Sequence, residues 1–170
     1  MQEVILDLGK QRANDPYIKS VRHYFNLGEI GDNDIKEYAI KEIHEKYGID
    51  LSTYRSEIIE RDNQVGFYLN WHVDDCSIHK HKTTENKTNN DILNDKYALY
   101  HKKELPKYTM IIYLTSINID FVGGEFEFVD ELIKPKKNDV IFFDSREVHR
   151  VNKLRSGERK NILVKFYKYT

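Results

Sequence analysis

The sequence predicts an α+β domain, with two helices first and then a strand-rich part that closes into a sandwich or barrel. Three observations predict it. Apolar residues recur at helical spacing through the first third, the period changes to two after Leu51, and turn residues punctuate everything that follows.

The helical layer is expected over about 13–48. In the first helix Tyr17, Val21 and Tyr24 share a face, Asn14 or Asp15 can cap it, and Pro16 suits its first turn. Gly28-Glu29-Ile30-Gly31 interrupts the pattern. A second helix starts behind Asp32 or Asn33, carries Ile35, Ala39, Ile40, Ile43 and Tyr47 as one stripe, and stops at Gly48. The strand-rich core is expected over about 51–169. Its runs are Tyr54–Glu60, Val65–Trp71, Tyr108–Thr115, Glu125–Val129, Val140–Phe143 and Ile162–Tyr169, parted by turns such as Gly123-Gly124 and Lys137-Asn138-Asp139. Glu125-Phe126-Glu127-Phe128 alternates as a half-buried strand does. Between the second and third runs, about 77–107, lies an expected mobile loop. His79 to Asp91 has no hydrophobic residue, so burial cannot offset the entropy of ordering it. Placed directly after a site motif, it is a candidate lid.

Composition narrows the functional classes. A chain of 170 residues fits one domain over 1–170, and folding at that size buries roughly 70% of the unfolded surface. The 12 Tyr and 8 Phe are too many for a disordered chain. A net charge of −1 is no footprint for avid nucleic-acid binding, although seven Lys against four acidic residues in 79–107 leave local RNA or DNA contact open. One cysteine, Cys76, excludes a disulfide framework and a thiol-rich zinc module. Neither a signal-like N-terminus nor a run of about 18 apolar residues is present, so the expected setting is cytoplasmic, without membrane contact. Oligomeric state has no signature.

Among seven histidines, two stand out. His23 and His44 fall in the expected helices, and His79, His81 and His101 fall in the polar segment. His72 closes a strand in Trp71-His72-Val73-Asp74, where positions i and i+2 share a face, so an imidazole and a carboxylate can grip one ion from one side. His149 follows 77 residues later, where Phe142-Phe143-Asp144 and a polar turn return the chain to the same barrel. Two His and one carboxylate on one face, with three positions open, is the arrangement of non-haem Fe(II) oxygenases; two open positions take a chelating co-substrate and the third O2. A structural zinc site would instead be closed by four protein ligands. Arg159, ten residues after His149 and behind the turn Ser156-Gly157-Glu158, offers a planar guanidinium for a carboxylate. In the last strand Ile162, Val164 and Phe166 face the helices, which turns Arg159, Asn161 and Leu163 to the lumen and Lys160 away. A shift of one residue would exchange Arg159 and Lys160. Trp71 packs in the core, Asp75 faces away from the ion, and Cys76 is a free thiol.

His72-x-Asp74, Gly123-Gly124-Glu125, the strand from Asp139 to Phe143, His149 and Ser156-Gly157-Glu158-Arg159 together resemble the 2-oxoglutarate- and Fe(II)-dependent dioxygenases, in their prolyl 4-hydroxylase-like branch. The resemblance covers roughly 54–169. It implies a double-stranded β-helix (a jelly roll) with N-terminal helices packed on one sheet. It implies Fe(II) on His72, Asp74 and His149, and 2-oxoglutarate on Arg159 with Tyr113 in support. It also implies O2 as co-substrate, ascorbate as an optional reductant, and hydroxylation of a peptidyl residue, proline first. The family's upstream Arg-Tyr pair is replaced near Asp62 and Asn63, and Tyr68, at i−4 from His72, is the candidate substitute.

Other readings compete. The three ligands could form a metal-free polar cluster, or belong to a cupin-like isomerase or a non-catalytic metal-binding jelly roll. The same iron chemistry could act on a small metabolite or on a nucleic acid. Iron-dependent conversion of 2-oxoglutarate to succinate separates the oxygenases from the rest.

Overall fold

The computed structural model describes residues 21–30, 34–74 and 106–168. Eleven strands and one α-helix account for most of them. In chain order these are β1 (Arg22–Asn26), α1 (Ile35–Tyr47), β2 (Tyr54–Asn63), β3 (Leu69–His72), β4 (Tyr108–Tyr113), β5 (Phe121–Gly123), β6 (Phe126–Phe128), β7 (Glu131–Ile133), β8 (Asp139–Asp144), β9 (His149–Val151), β10 (Leu154–Gly157) and β11 (Arg159–Lys168).

The strands form a five-stranded antiparallel sheet in the order β1-β8-β4-β11-β2, a four-stranded sheet β3-β9-β6-β7, and a β10-β5 pair. The centre of the large sheet is buried on both faces, so its strands read as unbroken apolar runs rather than as alternation. Alternation is still present in three dimensions. Ile111, Tyr113, Ile141, Phe143 and Leu163 share a core with Phe126, Phe128 and Val151 of the smaller sheet. Their neighbours Met110, Ile112, Val140, Phe142, Val164 and Phe166 share another with Ile35, Ala39 and Ile43 of α1.

The helix α1 has the stripe and stop that its sequence predicts, with Gly48 left-handed at φ 68° and its N–H donating to the His44 carbonyl at 2.9 Å. The other expected helix is not found. Arg22–Asn26 is a strand paired with β8, and residues 1–20 lie outside the described part. Alternation decides it. His23 stacks on Tyr47 at 3.5 Å between ring centroids, while on the other face the Arg22 guanidinium lies 4.0 Å from the Phe128 centroid. Spacings of three and four fit a helix, but a five-residue segment with one side toward a helix and one toward a sheet satisfies them equally.

Strand bounds also move. β2 runs three residues past Glu60, β3 starts four residues after Val65, and β11 starts at Arg159. The expected loop over 77–107 lies outside the described residues up to 105. Its last residue, Lys107, precedes β4 and is tied to the sheet, its N–H donating to the Phe166 carbonyl and its carbonyl accepting from the Ser145 N–H. Among the described residues no helix is long and apolar enough to cross a membrane.

Candidate metal centre

His72 and His149 form a cross-strand pair between β3 and β9, with ring centroids 4.2 Å apart. The register slips by one residue between Leu69 and His72, so β3 carries a bulge just before the site. Asp74 follows the end of β3, where its N–H donates to the Ser145 carbonyl at 2.9 Å. Its carboxylate Oδ1 then lies 3.5 Å from His72 Nε2 and 3.3 Å from His149 Nε2. All three residues are buried, and their ligand atoms fall within 4.8 Å of one another.

The tautomers say what belongs between them. His72 Nδ1 lies 2.5 Å from the Asn70 carbonyl and His149 Nδ1 lies 2.9 Å from the Glu147 carbonyl. A carbonyl only accepts, so each Nδ1 carries a proton, and Nε2 is the nitrogen left to bind a metal. Two imidazole nitrogens and a carboxylate oxygen converging in a buried space suit a cation. Two atoms bound at about 2.1 Å to one metal sit ~3 Å apart when the angle at the metal is near a right angle. The observed separations fit that better than an N–H···O bond. The donor set therefore fits a divalent iron. The His149 ring is held by Phe126, stacked at 5.2 Å, and by Phe143 at 4.8 Å.

The other carboxylate oxygen, Asp74 Oδ2, accepts from Thr109 Oγ1 at 2.6 Å, and Thr109 lies 3.2 Å from Ser145 Oγ. Both hydroxyl residues are fully buried. Residue order gives little sign of this pair. Thr109 is set among apolar residues in Tyr108-Thr109-Met110, and its one signal is a hydroxyl in the same inward row as Ile111 and Tyr113.

Arg159 lies in the lining of the same cavity as His72, Asp74 and His149. It is 2% exposed, and its Nε donates to the Gly124 carbonyl at 3.0 Å, one terminal nitrogen to Asn63 Oδ1 at 2.8 Å and the other to the Tyr113 hydroxyl at 2.7 Å. Burial pushes the Tyr113 phenol up, against the opposing pull of Arg159, so the hydroxyl stays protonated and can accept. Three of the five guanidinium donors are thus used by neutral acceptors. Lys160 points outward to Glu158 at 3.2 Å, as the expected register requires. Gly124 favours glycine, because its φ is +67° and a Cβ would crowd Arg159 Cδ at 3.0 Å.

Asn63 and Arg61 settle what stands where the upstream Arg-Tyr pair would be. Asn63 faces inward and holds Arg159, while Asp62 is exposed. Arg61, paired across from Asn161, lines the cavity. Burial is the main cause lowering its pKa from the ordinary value, the Arg159 charge lowers it further, and Asp74 pulls the other way. It went unnoticed because the strand was expected to end at Glu60. Tyr68 is not among the residues lining the cavity. The bulge resets the parity of β3, and Leu69 and Phe67 take the place inferred for it. Trp71 is buried against Val148 with the Arg150 guanidinium 4.5 Å from its ring centroid, a packing role as expected. Asp75, Cys76, His79, His81 and His101 lie outside the described residues.

Comparison with known proteins gives the fold and the family. The computed structure is similar to the 2-oxoglutarate complex of a viral collagen prolyl hydroxylase from Paramecium Bursaria Chlorella virus-1, with a TM-score of 0.53 and 19% identity over 100% of this chain and 92% of that one. A Pseudomonas putida prolyl-4-hydroxylase gives a TM-score of 0.53 and 14% identity over 100% and 89% of the two chains. At such identities the likeness is one of fold, and that fold is the jelly roll. In sequence, 65 residues are 37% identical to 2-oxoglutarate and iron-dependent oxygenase domain-containing protein 3 of Xenopus tropicalis. That match takes in 35% of this chain and only 20% of the relative's length. The family model of the 2OG-Fe(II) oxygenase superfamily matches residues 57–168, from the middle of β2 to the end of β11, and the chain belongs to that superfamily of dioxygenases.

Proposed function

We propose that the chain hydroxylates a C–H bond of a peptidyl residue, proline first, with Fe(II) held by His72, Asp74 and His149 and 2-oxoglutarate held by Arg159. The observation that carries this reading is the shared cavity, in which three convergent acceptors and a buried guanidinium lie together. Iron with 2-oxoglutarate supplies O2 activation and oxidative decarboxylation to succinate and CO2, coupled to transfer of one oxygen atom to substrate, and ascorbate keeps the iron reduced.

The chain's own residues do the positioning. Thr109 fixes Asp74 so that one oxygen faces both imidazoles. Tyr113, Asn63 and Gly124 hold the Arg159 plane, leaving donors for the far carboxylate of 2-oxoglutarate. Ile111, Leu163 and Phe126 give the cavity apolar walls that exclude water from the reacting centre. We assign these parts to one catalytic domain over 1–170, with its jelly-roll core at about 51–169.

The peptide preference draws its support from the two prolyl hydroxylases of like fold. Succinate release across peptide, amino-acid and oligonucleotide panels tests it, with mass spectrometry for a product heavier by one oxygen atom. Iron-dependent turnover with a proline peptide is the expected result. Turnover with oligonucleotides alone would overturn the substrate class and leave the iron assignment standing.

A further inference from the structure

The lining of the cavity is unbalanced in charge. Among the described residues it carries Arg61, Arg159 and Lys165 against one carboxylate, Asp74. A divalent metal and the two carboxylates of 2-oxoglutarate cancel, so loading the site does not remove the excess. Arg159 is fully occupied by its own acceptors and its co-substrate role. Arg61 is not.

Arg61 sits in the inward row of β2 with Ile59 and Asn63, and β2 is the outermost strand on its side of the large sheet. It is half-buried, and none of the described residues gives its side chain a hydrogen bond or an ion pair. Lys165 lies in the facing inward row of β11, beyond Leu163. A guanidinium kept partly out of water with no partner is costly in the empty protein and becomes favourable when an anion arrives. A planar guanidinium suits a carboxylate in particular.

We propose that Arg61 is the anchor for a carboxylate on the primary substrate, with Lys165 adding positive charge farther along the same cavity, so that the hydroxylated C–H belongs to a molecule carrying an acidic group near the target carbon. This rests on the oxygenase reading and narrows its substrate class. A plain prolyl peptide is neutral at this point and leaves the excess charge unanswered. The carboxylate can come from an acidic side chain next to the target residue or from the free carboxyl of a small acid.

Binding is measured with protein loaded with Mn(II) and 2-oxoglutarate, so that no turnover is needed. One arm titrates paired proline peptides that differ only by Asp or Asn beside the proline. The other compares N-acetylproline with N-acetylprolinamide. The acidic member of at least one pair should bind roughly ten- to hundredfold more tightly. Arg61→Gln should abolish that preference, and Arg61→Glu should turn the peptide arm toward a Lys-flanked sequence. The responding arm identifies the source of the carboxylate. Equal binding within both pairs, or none by any acid, overturns the proposal even if Arg61→Gln fails to fold, because that comparison uses the wild-type chain. Weakened 2-oxoglutarate binding in Arg61→Gln, with the acidic preference intact, also overturns it by giving Arg61 to the co-substrate. Failure of 2-oxoglutarate to bind the metal-loaded wild type would instead sink the oxygenase reading, and the proposal with it.

Discussion

Thr109 donates its hydroxyl to Asp74 at 2.6 Å from the far side of the large sheet's inward row, so a residue 35 positions away along the chain sets which carboxylate oxygen faces the two imidazoles. Removing it should loosen the metal without touching a ligand. Thr109→Val should weaken Mn(II) or Fe(II) binding about ten- to hundredfold, as loss of an outer partner of a ligand typically does, and Thr109→Ser should restore most of it. Metal titration by calorimetry checks both. Unchanged affinity in Thr109→Val would show that Ser145 or the backbone alone orients Asp74.

The ligand assignment itself is tested by His149→Ala. Metal binding and iron-dependent succinate release should both vanish while the metal-free protein still folds cooperatively, at a melting temperature lowered by the cavity that the lost ring leaves. The ring is one of several aromatics in its cluster, and the sheet register does not depend on it. Full turnover in this variant would remove His149 from the site.

Arg159→Ala should raise the KM for 2-oxoglutarate by tenfold or more and leave metal affinity nearly intact, because a charge-assisted pair is lost. Tyr113→Phe should give a smaller rise in the same direction. Lys160→Ala should do neither, since that side chain faces Glu158 and solvent. A large effect of Lys160→Ala on KM would place the strand one residue out of register.

Asp144 predicts an acid limb of stability. Burial works to raise its pKa, but hydrogen bonds and charge from Arg146, with Lys107 nearby, outweigh that and hold it below the ordinary carboxylate value. A carboxylate depressed in the folded state contributes stability that is complete above its unfolded pKa of about 3.9 and is lost as pH falls through the lower folded value. Arg146→Met should therefore lower the urea midpoint at pH 6 and narrow the gap between pH 6 and pH 3. An identical acid limb in wild type and variant would rule Asp144 out as its source.

Much of the site could be read from residue order because strand parity is strict. Once Ile162, Val164 and Phe166 are given to the helix side, Arg159 has one place to point, and the structure puts it there. The misreadings arise where parity is broken or the context is short. Counting back four positions from His72 reaches Tyr68, and the bulge after Leu69 breaks the parity on which that count depends. A bulge has no composition of its own in Leu69-Asn70-Trp71-His72. Tyr17, Val21 and Tyr24 read as one helix face because three apolar positions are too few to separate a period of 3.6 from a period of two. Thr109 and Arg61 escaped because their significance lies in what faces them across the cavity.

Strand β11 carries Arg159 on one face and the helix-facing side chains Val164 and Phe166 on the other. Adding or deleting one residue between Gly157 and Arg159 would turn both sets over together, sending the guanidinium toward α1 and two apolar side chains into the cavity. The adjoining turn has no slack, since a Cβ at Gly157 would meet the Asp120 carbonyl oxygen at 2.0 Å. Length variation in this turn is therefore closed to drift, because catalysis and packing fail in the same step. Substitutions along the strand remain separable, with odd-numbered positions answering to chemistry and even-numbered ones to the helix. Libraries that diversify 159, 161, 163 and 165 at fixed length should thus alter ligand preference while sparing the fold's other core.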